Sequence, residues 1–325
     1  MFQINRGALP PCSHRSGANI VLFSTRKLEP FITAGEQSGH QMIHFSLKGL
    51  TKDEAASQIE QLFKQNPEVI IPRAVKDTFN ILSLLELLGL PSLNSSHAIQ
   101  IARDQLETLK ILDRNGLPIP KTGFIRAGAE TFGDKLVGVT KSSDALDHVG
   151  GFPCVVKCLH GSHGNGVHLV KNQKEFVTLT SKLKKQGKPY LIQEFIAGAG
   201  GEDLRYFVVG GKVVTAMRRK AKEDDFRANL GQGGSGYKHP IAPVEEALAL
   251  QVSKAIGLGI AGVDLIPTGN GTVNILEVNS SPGRKIQKIT GIDVVTPMIE
   301  AAVRLAKEAK ASNVTAPQRE LSLLS

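Results

Sequence analysis

Apolar positions along this 325-residue chain come in short blocks broken by glycine, proline and charge, and their spacing switches between strand and helix periods. Residues 19–24 read as a buried strand. Thr51-Lys-Asp-Glu54 is a capping box, in which the two outer side chains satisfy each other's backbone N–H groups, and it opens a helix to about Gln65. Val69-Ile-Ile71 follows as a second strand, so strand, helix and strand predict a small parallel α/β domain over residues 19–96. A helix over residues 97–115 is stopped by Gly116-Leu-Pro118-Ile-Pro120, which stiffens the chain and removes donors. It opens a central unit, residues 97–189, with a glycine- and serine-containing loop over 126–151, a strand over 154–158 and a helix over 173–186. A C-terminal unit, residues 190–312, holds a strand over 190–196, a hairpin at Gly210-Gly211, a helix over 244–256, a second hairpin and a final helix over 294–311. Residues 1–18 read as a disordered start and 313–325 as a loose polar tail.

The second hairpin concentrates oxygen ligands. Asn270-Gly271 between two runs of strand formers signals a two-residue turn. Counting back from that turn sets Asp264 opposite Glu277, about 5 Å away at the β-carbons, with Asn279 on the same face. Two such carboxylates repel by about 3 kcal/mol at an effective dielectric near 20. They call for a cation, and an all-oxygen set suits magnesium shared with a ligand's phosphates. The same pattern also suits polar positions on an exposed strand face. In the first hairpin, a turn at Gly210-Gly211 puts Arg218 opposite Asp203 and points Asp203 and Arg205 the same way. From Arg205 to Arg227 seven basic residues stand against three acidic ones, and the run Arg218-Arg219-Lys220 leads on to Phe226-Arg227-Ala-Asn229, which predicts an anion site.

The bulk numbers narrow the partners. With 41% hydrophobic and 21% charged residues the chain can bury two or three cores. A formal charge of +9 suggests an acidic partner, but 5% aromatics and no tryptophan leave little for stacking bases, so direct nucleic-acid binding is not expected. No apolar run reaches the length of a membrane span, and the first eighteen residues carry no continuous apolar core of a secretory signal. Cys12, Cys154 and Cys158 fit neither a disulfide framework nor a zinc pattern, which suits a reducing cytoplasm.

Lys157 ends a strand that runs into Gly161-Ser162-His163-Gly164-Asn165-Gly166, where alternating glycines let backbone N–H groups approach phosphate beside a fixed cation. The loop alone equally suits a plain hairpin turn, and it is not a Walker loop. Gly231, Gly233 and Gly236 have dinucleotide-fingerprint spacing without the strand before or the helix after that such a site needs. His160, His163 and His168 lack the spacing to converge on a metal.

Taken in order, Ala102-Arg103-Asp104, Val155-Val156-Lys157, the glycine loop, Gln193-Glu194-Phe195-Ile196, Asp203-Leu-Arg205, Asp225-Phe226-Arg227-Ala-Asn229-Leu, Gly262-Val-Asp264 and Glu277-Val-Asn279-Ser-Ser-Pro-Gly283 resemble the ATP-grasp carboxylate-amine ligases, and within them the RimK-type ribosomal protein L-glutamate ligases. The resemblance spans about residues 67 to 305, including Ile71-Pro72-Arg73 and Thr290-Gly291-Ile292-Asp293. It implies an ATP-grasp fold behind a parallel pre-ATP-grasp domain, with adenine between β-layers, read at Glu194 and Phe195, and ribose near Asp203. Lys157 and the loop residues Gly161, Ser162, Gly164 and Gly166 would contact phosphates, with Arg227 and Asn229 nearby. Asp264, Glu277 and Asn279 would hold two magnesium ions, with manganese as a substitute, and Arg219 would stabilise the transferring phosphoryl group. Arg73, Arg205 and Arg284 would face substrate. The implied reaction joins L-glutamate or another amino acid to a carboxylate acceptor, a ribosomal protein C-terminus, through an acyl phosphate, in a homo-oligomer. A small-molecule or carrier-linked acceptor and a nucleotide-binding regulator without turnover are the alternatives. Two departures stand out: Gln105 where the family has lysine, and Arg284-Lys285 where its loop tends to be acidic.

Overall fold

The computed structural model describes residues 17–46, 49, 51–73, 79–159, 166–223, 225–228 and 230–314. The expected disordered start, all but residues 17 and 18, and the expected loose tail, all but 313 and 314, lie outside them. The N-terminal domain is built from β1 (Asn19–Ser24), α1 (Glu29–Gln37), β2 (Gln41–Phe45), α2 (Lys52–Phe63), β3 (Val69–Arg73) and α3 (Phe79–Leu87), with a fully parallel sheet in the order β2-β1-β3. The capping box forms as expected: Thr51 N donates to Glu54 Oε2 at 2.8 Å and Glu54 N to Thr51 Oγ1 at 3.4 Å. The pattern gave no sign of α1 and β2. The N-cap Leu28 of α1 has no capping side chain, and β2 alternates half-buried with buried positions over only five residues.

A single helix was expected over 97–115. Two are found, α4 (Ser96–Arg103) and α5 (Gln105–Arg114), because Asp104 turns extended and its carboxylate caps the second through the N–H groups of Leu106 and Glu107. The expected loop over 126–151 contains structure that glycines and short lengths hide. After β4 (Thr122–Ile125), it holds β5 (Glu130–Thr131), β6 (Leu136–Val139) and α6 (Ser142–His148). They are followed by β7 (Cys154–Cys158), β8 (Val167–Val170), α7 (Gln173–Lys185) and β9 (Tyr190–Glu194), in a six-stranded sheet of order β5-β6-β4-β9-β7-β8. Thus β9, placed by the pattern with the C-terminal unit, lies between β4 and β7 in the central sheet.

The C-terminal sheet, order β12-β11-β10-β13-β14, comprises β10 (Glu202–Val209), β11 (Lys212–Lys220), β12 (Ser235–His239), β13 (Ile260–Pro267) and β14 (Val273–Asn279), flanked by α8 (Pro243–Ile256), α9 (Lys285–Thr290) and α10 (Val295–Val314). One core unites this sheet with the N-terminal domain: Ile20, Leu22 and Phe31 pack in the same cluster as Phe207, Val209, Ile260 and Met298. A polar clasp reinforces it. Asn94, fully buried, accepts from Ile260 N at 2.7 Å and donates to Ile260 O at 2.8 Å and Ser280 O at 2.7 Å. The outer face of the central sheet instead has its own core of Ala145, Val156, Phe176, Leu183 and Ile192.

Candidate active site

Both hairpins of the C-terminal sheet contain one extra residue, and the extra residues decide which side chains meet. In the β10–β11 hairpin the two-residue turn forms at Gly210 and Gly211, both with positive φ. A bulge then leaves Val214 unpaired, and every residue beyond it moves by one. Arg219, not the expected Arg218, therefore lies opposite Asp203, while Arg218 turns outward toward Glu202 at 3.6 Å. In the β13–β14 hairpin the reversal is longer than the expected two-residue turn: Thr268 N bonds Thr272 O at 3.0 Å across a three-residue loop, and the Asn270 side chain folds back to accept from Thr272 N at 3.2 Å. A bulge at Leu276 compensates, so Asp264 still pairs with Glu277, and Gly262 with Asn279.

These registers gather a buried chain of charge. Arg219 donates from Nε and Nη2 to Asp203 at 2.5 and 2.7 Å and reaches Asp264 at 2.9 Å. Arg205 grips the other side of Asp264 with a two-pronged contact at 2.6 Å each. Burial pushes the Asp264 carboxyl up, and Arg205 and Arg219 more than reverse this, holding it below the usual carboxylate range. Burial raises Asp203 to about 6 against the pull of Arg219, with Asp264 adding to the rise. Both Asp203 oxygens face Arg219 and orient that arginine, at the position near which the resemblance expects a ribose. Burial works against the Arg219 charge, but Asp264 and Asp203 outweigh it and raise its pKa.

Glu277 differs from its neighbours. Its side chain opens toward the cleft, yet protein surrounds it closely enough that burial, joined by Asp264, raises its pKa against the pull of Arg205, Lys157 and Arg219. The amide of Asn279, with its nitrogen turned to Glu277 Oε1 and its oxygen to Arg205 Nη2, lies 3.2 Å from each. Among the described residues no cation pairs directly with Glu277, and it stands beside two further oxygen donors, a set whose chemistry fits magnesium. Lys157, 8% exposed on β7 of the opposite sheet, faces Glu277 across the cleft; burial lowers its pKa to about 8, opposed by the glutamate. Among the described residues it has no hydrogen-bonded partner.

Beside Lys157, Gly166 starts at φ +83 with its carbonyl accepting from Cys158 N at 2.9 Å; Gly161, Ser162, Gly164 and Asn229 lie outside the described residues. A cavity of about 610 Å³ is lined by Gly166, His168, Lys171, Asp225, Phe226 and Arg227. His168 is held below its ordinary value by burial, then by Arg227 and Lys182, a field that favours anions. Arg227 is braced by Asp225 at 2.9 Å, and Phe226 meets Phe195 edge to face at 6.3 Å, tying the end of β9 to this segment. Glu194 accepts from Lys121 N at 2.8 Å. Gln105 is the first residue of α5, half-buried.

The three arginines expected to face substrate divide. Arg205 belongs to the charge chain; Arg73 and Arg284 lie apart from it, each over the Phe31 ring, at 5.8 and 6.0 Å from its centroid. Phe31 carried no chemical signal in the sequence, since its role follows from the packing of α1 against the C-terminal unit.

The two-sheet cleft with the small parallel domain behind it is the ATP-grasp fold. The ATP-grasp ligase PsnB complexed with a minimal precursor superposes with a TM-score of 0.66 at 18% identity, over 89% of this chain and 99% of that one. A family model described as the RimK-like ATP-grasp domain matches residues 102–302, and the chain belongs to that family. A probable alpha-L-glutamate ligase of Halorhodospira halophila is 38% identical over 90% of this chain and 95% of its own length. One of the same description from Shewanella halifaxensis is 37% identical over 87% of this chain, which spans 61% of that relative's length. No helix among the described residues is long and apolar enough to cross a membrane.

Proposed function

We propose that the protein is an ATP-dependent ligase that joins the amine of an amino acid, L-glutamate, to a carboxylate acceptor. The observation that carries this reading is the oxygen set Asp264, Glu277 and Asn279, in which Glu277 has no direct ion pair among the described residues, within electrostatic reach of a Lys157 that has no hydrogen-bonded partner among them. Family membership and the description of the Halorhodospira relative support it. ATP and magnesium as reactant and cofactor are further supported by the structure of PsnB with precursor, Mg and ADP.

In this reading the acceptor carboxylate attacks the terminal phosphorus of ATP, giving an acyl phosphate and ADP. The amine then attacks the acyl carbon, and the tetrahedral intermediate expels phosphate to leave the amide. Lys157 and Arg227 bind and orient phosphate oxygens, and Arg219, held in place by Asp203, presents its guanidinium to the charge that develops on the transferred group. Magnesium ions, two in this reading and replaceable by manganese, would be held by Asp264, Glu277 and Asn279 and would supply charge neutralisation. Arg205 holds Asp264 and contacts Asn279, so it positions these ligands. The acceptor we favour is a protein C-terminus of the ribosomal kind, in a cytoplasmic homo-oligomer.

The test is ADP release and product mass from the purified protein with ATP, Mg2+, a panel of amino acids and cell extract. Labelled glutamate should enter an amide product, and Glu277→Ala should abolish its formation. ATP binding without turnover under every combination would overturn the ligase reading.

A further inference from the structure

Of the arginines around the cleft, Arg205, Arg219 and Arg227 are each joined to an aspartate. Arg73 and Arg284 are not: among the described residues no carboxylate pairs with either. Arg73 is 6% exposed, and among the described residues its guanidinium bonds only the Pro282 carbonyl at 2.6 Å and the Met298 sulfur at 3.9 Å. Arg284 stands over the same Phe31 ring, close enough for its charge, after burial, to lower the Arg73 pKa to about 10. Two like charges on one aromatic ring are unfavourable without an anion.

The pair sits where a substrate would be reached. Arg73 ends β3, at the carboxyl edge of the parallel sheet, the edge at which such sheets bind ligands. Its hydrogen-bond partner Pro282 packs against Gly262, two residues along β13 from Asp264 and therefore on the order of 7 Å from it along the strand. One turn further along α9 from Arg284, the buried Gln287 Oε1 has no donor among the described residues. Two cations and one unmet acceptor complement the charge pattern of an acidic amino acid.

We infer that Arg73 and Arg284, spaced by Phe31, form a clamp for the non-reacting carboxylates of a dicarboxylic amino acid, the amine donor of the reaction proposed above, on which this inference rests. The clamp makes the donor's side-chain charge, rather than its length, the selected property.

Calorimetry on the full chain with Mg2+ and a non-hydrolysable ATP analogue tests it, with L-glutamate, L-glutamine and glutarate as probes. The wild type should bind glutamate at least about ten-fold more tightly than glutamine. Arg284→Gln should weaken glutamate and glutarate by about ten- to a hundred-fold and leave glutamine within about two-fold, while Arg284→Lys recovers part of the loss and Lys288→Gln changes nothing. Equal binding of glutamate and glutamine by the wild type, no binding of any probe, or wild-type glutamate affinity in a folded Arg284→Gln would overturn the clamp. Glutamate turnover at the wild-type KM in Arg284→Gln removes the clamp and leaves the ligase. Arg284-dependent glutamate binding with no amide product from any acceptor leaves the clamp and removes the ligase.

Discussion

Two arginine sites less than a domain apart hold their charge in opposite states. In the chain Asp203–Arg219–Asp264–Arg205 cations and carboxylates alternate, and each guanidinium lies within 2.9 Å of a carboxylate. Around Phe31, Arg73 and Arg284 share one ring with no carboxylate among the described residues. The first arrangement is internally satisfied and serves to fix geometry; the second is complete only when something negative arrives. The number of arginines near a cleft therefore says less than which of them are already paired.

The sharpest way to break this contrast is Arg219→Ala, which strands the buried Asp203 and strips the buried Asp264 of one of its two arginines. It should lower the unfolding free energy by about 3–5 kcal/mol in urea denaturation. Lys157→Met, removing a buried cation that has no hydrogen-bonded partner among the described residues, should instead leave stability equal or higher and weaken ATP binding by about ten-fold or more in calorimetry. Arg284→Glu converts the like-charged pair into an opposite one and should raise stability by about 1 kcal/mol in the same denaturation assay, while losing dicarboxylate binding. The smallest effect belongs to an ordinary cap outside both sites. Asp293 accepts from Val295 N and Thr296 N at 2.9 and 3.2 Å, bonds that hold its carboxyl below the usual range although burial pushes the other way. Because the folded pKa is depressed, its contribution is present above the ordinary carboxyl value and fades as pH falls through the folded one. Asp293→Ala should cost about 1 kcal/mol near neutral pH and progressively less in acid, read from denaturation at several pH values.

The legibility of the site from sequence turned on single residues. Asp264 opposite Glu277 was readable although the turn was not: the loop is one residue longer on one side, and Leu276 bulges to absorb it. In the other hairpin the turn was readable and the pairing was not, because Val214 bulges and exchanges Arg218 for Arg219 opposite Asp203. A bulge has no reliable mark in a strand of ordinary β-formers; it is set by how the strand must twist against its neighbours. Likewise Asp104 breaks a helix whose periodicity runs through it, and short strands such as β5, two residues long, take their existence from their partners. The order of motifs made the fold readable, whereas the Phe31 site joins residues from distant parts of the chain and no local pattern forecasts it.

Asn94 has a mechanical consequence. By stitching the segment after the N-terminal domain to Ile260 and Ser280, with all three of its bonds buried, it binds that domain and the carboxylate-bearing strands into one rigid jaw. The central sheet, which carries Lys157, is joined to that jaw by apolar packing instead: its outer face has a core of its own, while Phe124, Leu136 and Leu191 pack in one cluster with Leu204 and Tyr206 of the C-terminal sheet.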